Sequence, residues 1–360
     1  MSYKIPIGPY HPALEEPYKL DMICDGETVS DARLHIGFNF RGIEHLAETR
    51  NYFQVIALME RVCGICSNVH TLTLCQAMEQ LAGHTPPPRA RYIRVIVAEL
   101  ERLHSHVLWA GIAAKLIGFK TMFMTCFEIR EKVMDVLQAI SGNRVNYAMN
   151  CIGGVNRDIE DPPAILKMVE TLEAEMTHTV IPILTTSITA RSRCAGVGIL
   201  SQEKAVSCAA VGPTARASGV PQDIRRAAPY AAYAEMEFET PVQQEGDVRA
   251  RLLVRALEIL ESCRILRQAL SKLPPGEFNT GDAKFEFITG TATSRVEAPR
   301  GEVFYSVSWK EGSRFPDRVH VRTPTYTNMP AVRYMLRGAR LADTPLIQAS
   351  IDPCYSCTDR

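Results

Sequence analysis

Two cysteine pairs with the spacing C-x-x-C lie near opposite ends of this 360-residue chain. The first pair is Cys63 and Cys66, and the second is Cys354 and Cys357, close to the C-terminus. Chain termini usually fray unless something ties them down. Because paired thiolates are metal ligands, we expect a metal to join the tail to the early part of the chain. The rest of the chain must then fold so that the two pairs meet.

The charge balance argues against several classes of protein. The chain has 40 basic and 40 acidic residues, so it has no basic surface excess for nucleic acid and no electrostatic anchor for anionic lipid. No apolar run approaches the length of a membrane span, and the N-terminus leads into no signal-peptide core. We therefore expect a cytoplasmic protein, attached peripherally to the membrane through partner subunits. The seven cysteines outside the pairs are expected to be reduced core residues.

Hydrophobic periodicity predicts a mainly α protein with small β-sheets (α+β), folded as a single domain over residues 1–360. Residues 1–50 form a β-rich N-terminal part, 51–275 a helical body, and 276–360 a β-rich segment ending in the second cysteine motif. Strands are predicted at 18–24 and 28–36, around an Asp25-Gly26 turn, and at 284–289, 302–309 and 319–322. The main helices are predicted from about 51 to the first cysteine pair and at 67–81, 89–116, 121–140, 161–180, 247–273 and 327–337.

Four thiolates form a soft donor set that suits zinc, an iron–sulfur cluster or another thiolate-bound transition metal. A structural zinc site is the commoner use of two C-x-x-C pairs. Zinc ribbons, however, usually separate their pairs by roughly 15–20 residues, because the metal organises a small local fold. The long separation here weakens the zinc interpretation without excluding it.

The residues that flank the cysteines carry a specific resemblance. Residues 61–70 read R-V-C-G-I-C-S-N-V-H, and residues 352–360 read D-P-C-Y-S-C-T-D-R. Both stretches resemble the two signatures of the large, catalytic subunit of [NiFe] hydrogenases. The runs at 8–17, 35–44 and 297–301 are similar to the energy-converting, membrane-bound group (Ech and CO-induced types) and to the 49 kDa subunit of respiratory complex I. The complex I subunit has lost both cysteine pairs, which favours the hydrogenase branch.

The resemblance implies a fold with a central bundle of long helices and a nickel–iron centre. All four cysteines would bind nickel, and Cys66 and Cys357 would also bridge to an iron that carries CO and cyanide. Electrons would arrive from a small subunit with a [4Fe–4S] cluster, fed by a ferredoxin-like polyferredoxin subunit. Further expected partners are membrane subunits that translocate protons or other ions, and nickel/iron maturation proteins; no nucleic acid is expected. The implied activity is reversible reduction of protons to H₂.

The resemblance also assigns roles around the metals. Cys354 would take the first proton and pass it to Glu15, with the adjacent Glu16 as a competing candidate. Arg300 would lie above the open metal position. Three further residues would support the ligands: His70, Asp352 and Arg61.

Glu44 matches a carboxylate that binds a Mg²⁺ or Fe²⁺ ion near the C-terminus of many classical large subunits. Those chains usually end in a histidine ligand, whereas this chain ends in Arg360. Arginine is not a metal ligand in proteins, so the additional ion is in doubt and Glu44 could pair with an arginine instead. Two other functions stay open from sequence: a complex I-like quinone or NADH dehydrogenase subunit without hydrogenase activity, and a structural Cys₄ zinc protein.

Overall fold

The computed structural model describes residues 2–12, 14, 16–281 and 285–360. Within these residues the α-helices are α1 (Ile43–Ala47), α2 (Tyr52–Glu60), α3 (Ser67–Leu81), α4 (Pro88–Leu116), α5 (Lys120–Ser141), α6 (Pro162–Glu175), α7 (Ile181–Thr186), α8 (Ile188–Cys194), α9 (Gln202–Ser207), α10 (Gly212–Arg216), α11 (Ile224–Ala227), α12 (Val248–Ser271), α13 (Pro324–Leu336), α14 (Thr344–Ser350) and α15 (Tyr355–Asp359). A π-helical turn, Met176–Val180, joins α6 to α7. Short 3₁₀ turns lie at Tyr233–Glu235 and Leu341–Asp343.

The strands form three small antiparallel sheets. They are β1 (Ser2–Ile7), β2 (Lys19–Asp25), β3 (Thr28–His35), β4 (Asn150–Cys151), β5 (Gly154–Val155), β6 (Gly290–Ala298), β7 (Gly301–Trp309) and β8 (Arg318–Arg322). The sheet orders are β1-β2-β3, β4-β5 and β6-β7-β8, so each strand pairs with its neighbour in sequence. The mainly α fold with small sheets is therefore confirmed.

The longest helices, α4, α5 and α12, form the centre of the molecule, where α4 packs against both of the others. Helix α4 begins with Pro88 at its first position, where the missing N–H leaves no bond unmade. Asp247 caps α12 by accepting a hydrogen bond from the Ala250 amide. Gly142, in the left-handed conformation with φ 80°, ends α5. Local signals in the sequence therefore set one end of each of these three long helices.

One predicted strand is wrong. Residues 285–289 contain no strand, and Lys284 lies outside the described residues. The first strand of the C-terminal sheet is β6, which pairs with β7 through a two-residue turn at Pro299 and Arg300. The aromatic alternation that suggested the strand has another cause, since Phe287 packs on Trp309 with ring centroids 4.4 Å apart. Strand β1 was not predicted.

Buried apolar side chains from both ends of the chain and from the long helices form one connected core. The single domain over residues 1–360 stays a prediction. All eleven cysteines are free thiols, as expected for reduced cysteine. Among the described helices, none is both long and apolar enough to cross a membrane.

Candidate metal centre

The structure brings the four paired cysteines together in a buried cluster. The Sγ atoms of Cys63 and Cys354 lie 3.5 Å apart, and those of Cys66 and Cys357 lie 3.4 Å apart. The Sγ atoms of Cys354 and Cys357 are separated by 3.2 Å. These distances far exceed the ~2.05 Å of a disulfide bond. The Sγ atoms of Cys63, Cys66 and Cys357 all lie within 4.8 Å of one another, close enough to hold one metal ion, and the Sγ of Cys354 adjoins those of Cys63 and Cys357.

Each cysteine pair stands at the beginning of a helix that a distant carboxylate caps. Cys66 directly precedes α3, whose first amides, on Asn68 and Val69, donate to Glu101 of α4 at 2.7 and 3.1 Å. Cys354 directly precedes α15, whose first amides, on Tyr355 and Ser356, donate to Glu16. The unpaired amides of a helix N-terminus favour a negative charge. The two carboxylates therefore fix the helix starts that present the thiols.

Arg41 links the two cysteine segments directly. Its guanidinium donates to the carbonyls of Arg61 and Val62, just before the first pair, at 2.9 and 2.8 Å. It also donates at 2.6 Å to the carbonyl of Ser356, inside the second pair. The Arg41 side chain thus holds the two cysteine segments close to each other.

The cysteines of the cluster differ in pKa. Hydrogen bonds from the thiols of Cys354, Cys357 and Cys66 lower the pKa of Cys63 well below its ordinary value. Cys357 donates hydrogen bonds to the sulfurs of Cys354, Cys63 and Cys66, and this raises the pKa of Cys357 well above its ordinary value. Without a metal the cluster therefore favours one thiolate stabilised by three thiols. Four thiolates in a buried site need a metal ion to balance their charge, so the donor set fits a soft metal centre.

The Cys66–Cys357 side of the cluster faces a small enclosed space. Ala298, Pro299 and Arg300 from the β6–β7 turn line it, together with Val303, Pro324 and Thr325. As the side chains are packed, this space is too small to hold a water molecule, so it does not by itself distinguish a two-metal centre from a simple Cys₄ zinc site.

Arg300 is held rigidly beside the cluster. Its Nε donates to the Asp352 carbonyl at 2.8 Å, and its Nη2 donates to the Asp352 carboxylate at 2.9 Å. Burial alone would lower the pKa of Arg300, but the Asp352 carboxylate and the sulfurs of the cluster raise it well above the ordinary value. The guanidinium is therefore a fixed positive charge next to the thiols. Asp352 adopts φ 55°, which turns the backbone into the second cysteine pair.

His70 contacts a cysteine of the other pair, as its predicted role requires. Its Nε2 lies 3.5 Å from the Cys357 Sγ, and its Nδ1 lies 2.8 Å from the Tyr305 hydroxyl. Burial lowers the pKa of His70 to about 4, so the ring is neutral near pH 7. Both contacts are satisfied when the Tyr305 hydroxyl donates to Nδ1 and Nε2–H donates to the sulfur. Tyr305 thereby selects the tautomer that stabilises a thiolate.

Of the two candidate carboxylates in the N-terminal loop, Glu15 lies outside the described residues. Glu16 contacts the second cysteine segment through the amides of Tyr355 and Ser356. Burial raises the pKa of Glu16, although the two backbone hydrogen bonds partly oppose that shift. The structure therefore gives Glu16 a position next to the cluster, the placement that was expected of Glu15.

The predicted supporting role of Arg61 needs correction. Its side chain is 57% exposed and pairs with Glu60 at 2.5 Å. Only its backbone carbonyl takes part in the site, as an acceptor for Arg41. Arg41 lies in the run at 35–44 that carries the resemblance, but no role was predicted for it. Glu101 and Tyr305 were not predicted. No local signal separates these three from ordinary surface, core or strand residues.

Glu44 lies in a cluster of cationic groups that does not fit an additional metal ion. Arg360 Nε donates to it at 2.6 Å, Arg318 Nη2 at 3.2 Å and the Val321 amide at 2.9 Å. Burial raises the pKa of Glu44, but the hydrogen bonds from Arg360 and the Val321 amide and the charges of Arg360 and His320 together outweigh burial, and the net shift is downward. The arginine that replaces the usual histidine thus supplies the positive charge itself.

Comparison with known families agrees with the site. The family model for the 49 kDa subunit of respiratory-chain NADH dehydrogenase matches residues 117–289 and 278–360. The model for nickel-dependent hydrogenase matches residues 41–110, which include the first cysteine pair. Different parts of this chain thus match the two family models, in agreement with the resemblance.

Individual relatives cover nearly the whole chain. A carbon monoxide-induced hydrogenase from Rhodospirillum rubrum is 41% identical over 100% of this chain and 99% of its own length. The alpha subunit of a membrane-bound hydrogenase from Pyrococcus furiosus is 40% identical over 99% of this chain and 87% of its own length. A chain in the solved archaeal membrane-bound sulfane sulfur reductase superposes with a TM-score of 0.92 at 32% identity, covering 100% of this chain and 98% of that one. The chain belongs to the family of [NiFe] hydrogenase large subunits and complex I 49 kDa subunits, on its energy-converting hydrogenase branch.

Proposed function

We propose that this chain is the catalytic subunit of a membrane-associated, energy-converting [NiFe] hydrogenase that reduces protons to H₂ reversibly. The observation that carries the proposal is the buried convergence of four free thiols from the two ends of the chain, with neighbouring Sγ atoms 3.2–3.5 Å apart. Fold similarity alone would leave a complex I-like function equally open. The four sulfur donors favour the hydrogenase.

The residues present could hold a nickel–iron centre. Cys63 and Cys354 would bind nickel alone, while Cys66 and Cys357, which face the enclosed space, would also hold the iron with its CO and cyanide. When bound, such a centre supplies the redox chemistry that forms or breaks the H–H bond. Arg300, which lines the same space, would donate hydrogen bonds to the ligands of that iron.

The protein supplies the proton path. We assign the first proton-accepting atom to the Cys354 Sγ and the next to the Glu16 carboxylate, which contacts the residue that follows Cys354. A buried carboxylate with a raised pKa accepts and releases protons more readily than an exposed carboxylate does. His70 remains neutral and donates to the Cys357 sulfur, so it stabilises a ligand without competing for the proton.

We further propose a small subunit with a [4Fe–4S] cluster as the electron-transfer partner, fed by a ferredoxin-like subunit, with ion-translocating subunits in the membrane. The Asn39 amide donates to Asp359 of α15, so the loop containing Phe38 and Phe40 adjoins the second cysteine helix. The Phe40 side chain is 73% exposed there. An exposed aromatic side chain near the metal site suits a docking surface for the electron donor.

The decisive experiment is metal analysis of the purified complex, combined with infrared spectra in the region of CO and cyanide stretching. We expect nickel, together with iron in excess of nickel because the partner subunits carry [4Fe–4S] clusters, and we expect these bands. Cys354→Ser should lose the nickel and the bands. Cys263→Ser is the matched control, because this buried cysteine lies in α12 and should leave both signals unchanged. A complex that contains zinc, lacks nickel and shows no such bands would refute the proposal.

A second candidate function, that of a complex I-like subunit, is favoured by another relative. A subunit of an NADH-quinone oxidoreductase from Dehalococcoides mccartyi is 39% identical over 100% of this chain and 98% of its own length. A complex I-like function would leave quinone-dependent electron transfer intact in Cys354→Ser. The hydrogenase function requires that H₂ formation disappear in the same variant.

A further inference from the structure

Arg102 of α4 holds the end of the strand that leads to Arg300. Glu297 and Ala298 are the last two residues of β6, and Pro299 and Arg300 form the turn after them. Nη2 of Arg102 donates to the Glu297 carbonyl at 2.5 Å, and Nη1 donates to the Ala298 carbonyl at 3.1 Å. The guanidinium therefore binds both carbonyls that directly precede the turn.

Arg102 is itself fixed from the opposite side. Its Nε donates at 3.2 Å to Glu99, and both side chains are fully buried. Glu99 also accepts hydrogen bonds from Arg225 at 3.1 Å, from the Tyr233 hydroxyl at 2.6 Å and from the Ser262 hydroxyl at 2.7 Å. Burial raises the pKa of Glu99, but the charges of Arg102 and Arg225 and the two hydroxyl groups together lower it below its ordinary value. The carboxylate is therefore ionised at neutral pH, and Arg102 is held by an ion pair.

The same face of α4 also contacts the tip of the turn. The Ser105 Oγ lies 3.5 Å from Nη1 of Arg300. Ser105 follows Arg102 by three residues, so both side chains lie on one side of the helix. Between Ala298 and the next strand lie two residues, Pro299 and Arg300. A displacement of the Ala298 carbonyl therefore displaces Arg300 as well, because so short a turn has no further residue that could absorb the shift.

We propose that Arg102 is a positioning residue that sets the place of Arg300 beside the metal centre, through the carbonyls of Glu297 and Ala298. The inference rests on the proposed hydrogenase function, in which Arg300 donates hydrogen bonds to the ligands of the iron. All three guanidinium nitrogens of Arg102 bind Glu99 or the strand end, so Arg102 acts on the centre through the backbone of the turn. A guanidinium suits this role, because its planar fork donates in two fixed directions at once.

A purely structural role is the alternative. A buried arginine that only satisfies two carbonyls would stabilise the fold, and its replacement would lower stability without a specific effect on the metal ligands. A positioning role predicts in addition that the CO and cyanide stretching bands shift, since the hydrogen bonds from Arg300 to these ligands would change in length and direction. The infrared spectrum therefore separates the two roles.

Arg102→Lys is the variant that tests the proposal. Arg102→Ala is unsuitable, because removing one partner of a buried ion pair strongly destabilises a protein. A lysine keeps the charge opposite Glu99, but its ammonium is a single point that cannot replace a planar fork across two carbonyls.

The assembled complex carrying Arg102→Lys should contain as much nickel as the wild type and show shifted CO and cyanide bands. We expect H₂ formation to slow roughly tenfold, the factor that corresponds to one lost hydrogen bond. Native-state hydrogen exchange supplies a measurement that does not depend on the metal. Protection of the amides at residues 296–304 should fall by about the same factor.

Arg94→Lys is the matched control, because Arg94 makes the same kind of contact elsewhere on α4. Arg94 is buried and pairs with Glu79, and its Nη2 donates to the carbonyls of Cys151 and Gly154 at 2.8 and 2.9 Å. These carbonyls belong to the β4–β5 hairpin, which carries none of the residues assigned to the metal centre. Arg94→Lys should therefore lower protection at residues 150–155 and leave the bands, the rate and the amides at 296–304 unchanged.

Three results would overturn the proposal. Reduced protection at 296–304 with unshifted bands in Arg102→Lys would make the contact structural only, and unchanged protection would show that Arg102 does not hold the turn. An equal band shift in Arg94→Lys would mean that any lost buried contact on α4 disturbs the centre. A wild-type complex without nickel and without CO or cyanide bands would instead refute the hydrogenase function, and hydrogen exchange would still decide whether Arg102 holds the turn.

Discussion

The turn that carries Arg300 depends on Gly212, and the substitution Gly212→Ala tests that dependence. Gly212 has φ +65°, and an added Cβ would lie 2.4 Å from the Arg300 carbonyl oxygen and 2.4 Å from the Gly301 Cα. Both are backbone atoms, so the clash cannot be relieved by rotating a side chain. The β6–β7 turn would have to move, and the guanidinium of Arg300 would move with it.

Gly196 provides the matched control. Its φ is +72°, but a Cβ there would meet nothing within 4 Å. The left-handed conformation costs an alanine about 1–2 kcal/mol at either position. Overpacking against backbone adds roughly 1–3 kcal/mol at Gly212 alone. We therefore expect Gly212→Ala to be more destabilising than Gly196→Ala by about 2 kcal/mol.

Native-state hydrogen exchange on the assembled complex measures this difference locally. Protection of the amides at residues 296–304 should fall roughly 30-fold in Gly212→Ala relative to wild type, the factor for about 2 kcal/mol. Gly196→Ala should leave the protection of these amides unchanged. Displacement of Arg300 should also lower the rate of H₂ formation by up to ~10²-fold. Equal protection of the turn in both variants would refute the packing argument.

Three further perturbations address contacts around the cluster. Arg41→Ala removes the hydrogen bonds that join the two cysteine segments. Because the side chain is partly exposed, we expect stability to fall by about 1–2 kcal/mol, which should appear as roughly tenfold faster nickel loss to a chelator. Arg50→Ala is the control and should have no effect, because the contacts of Arg50 are confined to a neighbouring residue. Tyr305→Phe removes the hydroxyl that contacts Nδ1 of His70 and so frees the tautomer of that ring. Nickel should be retained, while the CO and cyanide bands shift and the rate of H₂ formation falls. Unshifted bands would contradict the tautomer assigned to His70. The pKa of Glu44 is lowered in the folded state, so its contact with Arg360 stabilises the fold fully above pH 4.5 and is lost as the pH falls through the lowered pKa. Arg360→Ala should therefore reduce thermal stability at pH 7, and its difference from the wild type should shrink as the pH falls below 4.5.

Much of this fold was predictable because it follows from local patterns. The long helices have apolar stripes and capping residues at their ends, so periodicity located α4, α5 and α12 to within a few residues. The strand predicted at 284–289 failed for a related reason. Its alternating Phe285 and Phe287 imitate a strand, whereas in the structure these rings pack around Tyr52. Periodicity reports burial on alternate positions and says nothing of whether the backbone finds a partner strand.

The parts of the site that escaped prediction are long-range contacts. Glu101 accepts hydrogen bonds from two amides 33 and 32 positions earlier in the chain, and Tyr305 contacts a histidine 235 positions away. Neither contact changes the local pattern in which the residue lies. Glu15 and Glu16 pose the same problem at short range, because an irregular loop has no period to tell which of two adjacent acids turns inward. Only the fold brings such groups together.

Fold and chemistry answer different questions about this chain. A fold shared by hydrogenase and complex I subunits can place a buried helix start, a β6–β7 turn and the C-terminal segment around one point, whatever that point contains. What distinguishes the two activities is whether sulfur occupies the four positions there. Arg41, Glu16 and Arg300 all bind the backbone or side chains of residues 352–356, so the framework that positions the tail is largely separate from the thiols themselves. A lineage could therefore lose the cysteines and keep the framework, which is why overall similarity is a poor guide to activity in this family and the sulfur donors are the better one.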